Sequence, residues 1–463
     1  GLPDNHCYNL WYNGHGLGVG KMYKGYWQLV KPGWNYGCGE FGTEGLDPLN
    51  VMEKYYPHEW LPADKKDASE WDPSRISMAQ SKRFHYMWYN TPGSIGEWIE
   101  TSQEYQAFAT KFTTEAFRRD PRMVSFAIHL FIDAWPGGWM KAIMDVDRQP
   151  KKAYFAYRNA LEPLMVSIRS DRWEFYGGEE TEIELWIAND HNFSEVDYRL
   201  HYQLEQEDRV VFAQSILADI PVNSSQFQGF IRTTLPNVAE RTTYVLRASL
   251  KDPEGTNVYQ NTLEIEVFPE KDSPRSSVFI FGDQGGLAET IADQAGFSQT
   301  RSARKADVLM VDDYKKYEKN KKHIDRMVDG GKILLFLELS EGQYEVGQSA
   351  IEVNKTEMGD YYFASPETGH PIVESYKPHD FRFWHDSAKG YISPLLSHTF
   401  IAPGYSSVLS SGSSNWISDE GEVMAKKKKK SGKGVIRICE VKFKDHIQTN
   451  PVAFDFLLKL TEK

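Results

Sequence analysis

Cysteine is nearly absent from this 463-residue chain, and Cys7, Cys38 and Cys439 lie too far apart to form a disulfide framework or a zinc site. They say little about compartment. No stretch approaches 18 consecutive apolar residues, so no membrane-spanning helix is read. Cationic excess is lacking as well: the net charge of -12 argues against nucleic acid as a partner, because phosphate binding needs a clustered basic face. The exception is the run Lys426 to Lys430 followed by Lys433, which beside Ser431 and Gly432 reads as a solvated hairpin tip. The dinucleotide fingerprint is missing too, since Asp283-Gln284-Gly285-Gly286 lacks the full GxGxxG pattern. No metal or cofactor is expected. The first residues show neither a signal peptide nor an initiating Met, and Gly1 to Tyr8 runs directly into what reads as domain interior. Sequons at Asn192, Asn223 and Asn354 favour a secreted or periplasmic location.

At this length two to four domains are expected, and the pattern changes character twice. Residues 1 to about 163 are dense in aromatics. They suggest a strand near 4 to 9, a helix near 17 to 30, a strand near 34 to 40 and a long irregular excursion from 43 to 92. A helix follows from about Ser94 to Arg119, with Ile95, Trp98, Ile99, Tyr105, Phe108 and Phe112 toward one face. Ser94 with Glu97 has the capping-box spacing. The apolar run Met123 to Ile132 predicts a strand buried on both faces, and a last helix spans about Lys151 to Leu161. This alternation is half of a parallel barrel. Residues 164 to 269 instead alternate polar and apolar residues, as in Thr181 to Ile187, which predicts an immunoglobulin-like sandwich. Residues 276 to 463 read as a doubly wound α/β domain, with strands at 278 to 281, 308 to 312 and 333 to 337 and helices at 287 to 295 and 320 to 328.

Within the first region, Trp34-Asn35-Tyr36-Gly37-Cys38-Gly39-Glu40-Phe41-Gly42 reads as a short strand that ends on a carboxylate. Parallel-barrel enzymes present reacting groups at such strand ends, where side chains are rigidly held yet face the open mouth. Glu40 is therefore the first candidate for a reacting group, with Glu44 as its rival. Taken with the segments Asp4 to Tyr12, Asp133-Ala134-Trp135-Pro136 and Asp147 to Tyr154, the order resembles the C-terminal half of a glycoside hydrolase family 2 catalytic barrel. That family includes β-galactosidases, β-mannosidases and β-glucuronidases.

The resemblance implies a multidomain chain: the C-terminal half of a (β/α)8 TIM barrel (1–163), an immunoglobulin-like β-sandwich (164–269), and a glutamine-amidotransferase-like α/β domain (276–463). It makes Glu40 the nucleophile and Tyr8 a donor to it. His6 and Asn9 flank Tyr8 and are placed to reach sugar hydroxyls, with a packed strand histidine as the other reading of His6. Trp135 shapes a sugar subsite or plugs the barrel mouth, and Asp133 binds a hydroxyl or holds a loop. His129 and Phe131 depart from the family, where Trp or Asn is common. Amidotransferase activity is not expected, because Ser340-Glu341-Gly342 follows the relevant strand and no cysteine stands there.

The activity implied is that of a retaining glycosidase acting on a terminal β-linked sugar, β-galactoside first, then β-mannoside or β-glucuronide. Its acid/base, a Glu usually in an Asn-Glu pair on the fourth strand, has no counterpart in this sequence. The expected partners are therefore a carbohydrate and either the N-terminal part of the same enzyme or a complementary chain, and homo-oligomerisation is left open. The competing reading is a non-catalytic carbohydrate-binding or structural protein derived from a glycosidase.

Overall fold

A computed structural model describes residues 4, 6–8, 10–11, 18–25, 32–79, 89–137, 140–355, 362–412, 420–428 and 433–463. The chain divides into two compact units, one made mainly of residues up to Glu270 and the other mainly of Lys271–Lys463.

The first unit begins as a parallel arrangement around β1 (Tyr36–Phe41). Asp4 bridges Gly37 and Cys7 bridges Phe41 on one side, and β2 (Met123–Ile128) pairs in parallel on the other. Tyr36, Cys38 and Phe41 are buried, while Gly39 is small because a Cβ there would meet the Asp4 carboxylate at 2.6 Å. The helices are α1 (Val19–Lys24), α2 (Leu49–Tyr55), α3 (Lys65–Ser69), α4 (Ile95–Arg119) and α5 (Lys152–Ala160). α4 begins where its sequence signals place it. The Glu97 N–H donates to Ser94 Oγ at 3.3 Å and the Gly93 N–H donates to the Glu97 carboxylate at 2.7 Å. Trp98, Tyr105, Phe112 and Ala116 form its buried stripe, and Arg118 and Arg119 complement the negative end of the helix dipole.

β2 departs from expectation. It is not buried on both faces: Val124 is 50% exposed, and Ser125 and Ala127 are exposed with it. The reason is topological, since among the described residues β2 pairs with β1 alone and is left as an edge strand. Of the helix expected near 17 to 30, the described part is α1.

The same unit contains two facing sheets. One has the order β4 (Glu174–Tyr176), β10 (Asn257–Phe268), β9 (Thr242–Lys251), β6 (Arg199–Gln206), β7 (Arg209–Leu217), and the other has β3 (Leu164–Arg169), β5 (Ile183–Asn189), β8 (Ser224–Ile231). Alternate residues such as Ile183, Leu185, Ile187, Leu246, Ala248 and Leu250 fill one shared core. This is the layout that the polar/apolar alternation calls for. α4 is tied to this sandwich by buried polar contacts: Glu115 accepts from Ser167 Oγ at 2.8 Å and from Asn261 Nδ2 at 3.0 Å.

The second unit is built on a mixed ten-stranded sheet. Its parallel half runs β12 (Ser298–Gln299), β11 (Ser277–Phe281), β13 (Val308–Val311), β14 (Ile333–Leu337), β22 (Val435–Cys439). An antiparallel half continues through β21 (Glu420–Lys428), β19 (His398–Ile401), β16 (Ser349–Lys355) and β15 (Gly342–Val346), with β20 (Ser406–Gly412) on β21. β17 (His385–Asp386) and β18 (Tyr391–Ile392) form a separate hairpin, and the helices are α6 (Leu287–Ala295), α7 (Tyr314–Asp329) and α8 (Pro451–Leu460). The doubly wound description thus fits only the parallel half. α7 starts six residues before its expected position because Asp313 caps it, accepting from Lys315 and Lys316 N–H. The lysine run is corrected also. Lys426 to Lys428 belong to a strand, and Lys427 Nζ donates to the Gly347 carbonyl at 3.0 Å and Ser349 Oγ at 2.7 Å. Residues 429–432 lie outside the described residues.

Candidate active site

Glu40 sits at the C-terminal tip of β1, where the strand's last hydrogen bonds hold it from both neighbours. The Cys7 N–H donates to the Glu40 carbonyl at 2.8 Å, and the His129 N–H donates to the Phe41 carbonyl at 2.8 Å. Gly42 then turns the chain with φ +151°, passing so close to β2's end that a Cβ would meet the His129 carbonyl oxygen at 2.8 Å. That close approach requires glycine. The backbone is fixed on both sides while the Glu40 side chain remains 36% exposed.

Its carboxylate is met by two of the predicted residues. Tyr8 Oη donates to Glu40 Oε2 at 2.6 Å, and His6 Nδ1 lies 3.2 Å from the same oxygen. Tyr8 is buried and its ring packs edge-on against Trp11 at 5.4 Å, so its hydroxyl is aimed by packing. Burial pushes the Glu40 carboxyl up, but the Tyr8 hydrogen bond and the positive charge available at His129, His6 and Lys141 outweigh it. The group is held below the usual carboxylate value. It is therefore an anion at neutral pH, fixed in place and open to solvent.

Two further residues close in on this carboxylate. The His129 ring lies 6.5 Å from Tyr8, and burial pulls its pKa down against the raising effect of Glu40. The Lys141 ammonium is buried 4.2 Å from the Trp11 ring centre. The sequence marks His129 only as a departure from the family pattern and gives Lys141 little to distinguish it. The one signal was a lone lysine at the head of the apolar run Ala142 to Met144.

The remaining candidates are placed differently. Asp133 lies on the loop after β2, where burial raises its carboxyl to about 6, opposed by Lys151 and reinforced by Asp47 and Asp145. No described hydrogen bond or ion pair joins it to Glu40. Trp135 stands 70% exposed on the same loop. Asn9 lies outside the described residues. Glu44, the rival carboxylate, is 6% exposed and so is closed to solvent. The aromatics of the excursion, Trp60, Trp71, Phe84, His85, Tyr86, Trp88 and Tyr89, suit either sugar subsites or packing, and Trp71 packs, buried against Trp98 at 6.5 Å. Phe84, His85, Tyr86 and Trp88 lie outside the described residues.

No protein-family model matches this chain, and no curated protein matches it. Among solved structures it is similar to a β-D-mannosidase from Dictyoglomus thermophilum, with 20% identity and a TM-score of 0.41 over 59% of this chain and 32% of that one. It is similar also to an exo-chitosanase from Amycolatopsis orientalis, with 12% identity and a TM-score of 0.37 over 59% of this chain and 31% of that one. The chain thus spans less than a third of the length of these structures. At such TM-scores the likenesses carry no weight of their own, and the reading of the site rests on its geometry.

Proposed function

We propose that this chain carries the nucleophile of a retaining glycoside hydrolase that removes a terminal β-linked sugar. The observation that carries the reading is the Glu40 carboxylate at a parallel strand's tip, bonded by the Tyr8 phenol at 2.6 Å and kept ionised while partly exposed. A nucleophile that attacks an anomeric carbon needs this combination: charge, a fixed direction and an open approach. In the first step a Glu40 oxygen bonds to the anomeric carbon as the glycosidic bond breaks and the leaving oxygen takes a proton. In the second, water attacks the glycosyl ester and gives up its proton, so Glu40 leaves as a carboxylate again. The phenol at Glu40 Oε2 steadies the carboxylate before attack and after release. A β-galactoside is the favoured substrate, ahead of a β-mannoside or β-glucuronide.

The second carboxyl of such a pair stands about 5 to 5.5 Å away. Glu44 is closed to solvent and Asp133 makes no described contact with Glu40, so the reading assigns the acid/base to polypeptide outside these 463 residues. That polypeptide is the N-terminal part of the same enzyme or a complementary chain. The exposed edge of β2, together with Phe131 and Phe155 at 49% exposure each, is consistent with further barrel strands covering this side.

Labelling with a 2-deoxy-2-fluoroglycoside or a cyclophellitol, followed by peptide mapping, tests the assignment. Adduct on Glu40 is expected, and the configuration of the reactive probe identifies the sugar. Adduct on Glu44 would overturn it. Sugar binding with no adduct would favour the non-catalytic carbohydrate-binding alternative.

A further inference from the structure

The loop after β2 carries a cation whose place is set from the backbone outward. The Lys141 carbonyl accepts from the Leu130 N–H at 3.4 Å and from Gln106 Nε2 at 3.2 Å. Gln106 is fully buried in α4 and also donates to the Thr43 carbonyl at 3.0 Å, so it ties the loop after β2 to the loop after β1. Lys141 itself is only 5% exposed, and its ammonium lies 4.2 Å from the centre of the Trp11 ring and 5.5 Å from that of Tyr8. A desolvated ammonium beside an aromatic face is attracted by the ring's quadrupole. These two rings meet edge to face, and one of them is the donor to Glu40.

We propose that Lys141 is a positioning residue for Glu40: caged by Trp11 and Tyr8, its ammonium holds the phenol on the carboxylate and supplies positive potential that keeps the carboxylate charged. The inference rests on the reading of Glu40 as nucleophile, and it adds a residue that acts through Tyr8. The charged and titratable groups around the ammonium come from every packed element. Glu40 and Glu44 are supplied by β1 and the loop after it, His129 by the end of β2, and Tyr8 by the first segment, where His6 in turn faces Glu40 and His129. Burial brings Lys141 down to about 8, against the opposing pull of Glu44 and Glu40. Its charge is therefore complete only well below that pH, is half lost at it and fades further above it, and the hold on Tyr8 fades with it. A lysine that only filled space beneath two rings would leave the titration of Glu40 unchanged.

The test follows the Glu40 carboxyl by 13C NMR in the full chain labelled at glutamate, with the signal assigned through Glu40→Gln. In Lys141→Met the Glu40 midpoint is expected to rise by about half a pH unit, and Lys141→Arg to return it toward the starting value. Fluoroglycoside labelling of Lys141→Met is expected to slow by about tenfold, with its acid limb displaced upward, which is what losing one desolvated cation–π contact predicts. A folded Lys141→Met with an unchanged Glu40 midpoint overturns the proposal. Should that variant not fold, the reciprocal measurement decides, because Glu40→Gln must lower the Lys141 midpoint read from 13C-dimethylated lysine, and an unmoved midpoint overturns it equally. Absence of labelling in the assembled enzyme, with the polypeptide that supplies the acid/base present, would sink the glycosidase reading, and the two titrations would still decide the coupling.

Discussion

Strand ends in both units of this molecule present carboxylates, one in the first and two in the second, and they have opposite chemistry. Glu40, at the tip of β1, is partly exposed, accepts a phenol hydrogen bond and stays charged. Glu338 and Glu440, at the tips of β14 and β22, share a site beside the buried Cys439. There Glu440 is 2% exposed and accepts from the Leu339 N–H at 3.0 Å, and the Glu338 N–H donates to the Cys439 carbonyl at 2.9 Å. Burial raises Glu338 to about 7, with Lys442 and Lys444 only partly compensating, and burial raises Glu440 well above the ordinary value, the charge of Glu338 adding to the effect against the Leu339 N–H. The same location on a parallel sheet therefore yields a charged, accessible carboxylate in one unit and a buried pair whose charge is suppressed in the other. Strand-end position supplies rigidity, and the neighbours decide the charge.

Replacing Glu40 by Gln should strike this contrast hardest, abolishing fluoroglycoside labelling and lowering turnover in the assembled enzyme by about 10⁴-fold or more. Residual labelling at that site in E40Q would remove Glu40 from the mechanism. Tyr8→Phe comes next. With the phenol gone, the Glu40 midpoint rises, so the acid limb of labelling moves to higher pH and the rate drops by about 10²-fold, as for loss of a pre-aimed donor. An unshifted limb would mean that the two carboxylate environments differ by exposure alone.

The buried pair is probed by stability. Glu338 has a folded pKa raised above its unfolded value, so its contribution is complete below about pH 4.5 and is lost as the pH climbs through about 7. Denaturant midpoints for the second unit should therefore fall across that window, and Glu338→Gln should flatten the fall by about 2 kcal/mol. A variant with the same slope would show that the carboxyl is not the titrating group. The smallest effect is backbone-borne. Gly42→Ala places a methyl within 2.8 Å of the His129 carbonyl at φ +151°, which should cost roughly 1 to 3 kcal/mol and blunt labelling by displacing Glu40. Full labelling with normal stability would show that the tip of β1 is not held as tightly as the bonds at Glu40 and Phe41 imply.

Much of this was legible before any coordinates. The N-cap at Ser94, the strand ending on Glu40, the sandwich's alternation and the helix at 287 to 295 are local signals, carried by residues three or four positions apart, and each appears where expected. The pairing of Tyr8 with Glu40 came from a resemblance of segments, and the structure makes it a bond. β2 departs from its expectation because an apolar run is the same string whether its edges are covered or open. α7 is longer than its apolar pattern predicts because its first turns are lysine-rich, with little apolar periodicity to follow. The antiparallel half of the second sheet leaves no local signal, since partners such as β16 and β19 are separated by more than forty residues.

Lys141 shows where sequence reading stops. Its identity, and that of Glu40, Tyr8 and Trp11, were plain from the chain, as were the turns and caps that bring each strand to its end. That an ammonium would lie under two rings, one of them bonded to the carboxylate, depended on three segments far apart in the chain meeting in space. Local propensity selects the elements because its energies act within a turn or two of chain. A carboxylate's charge is set by whatever surrounds it in three dimensions, and only the tertiary structure assembles those surroundings.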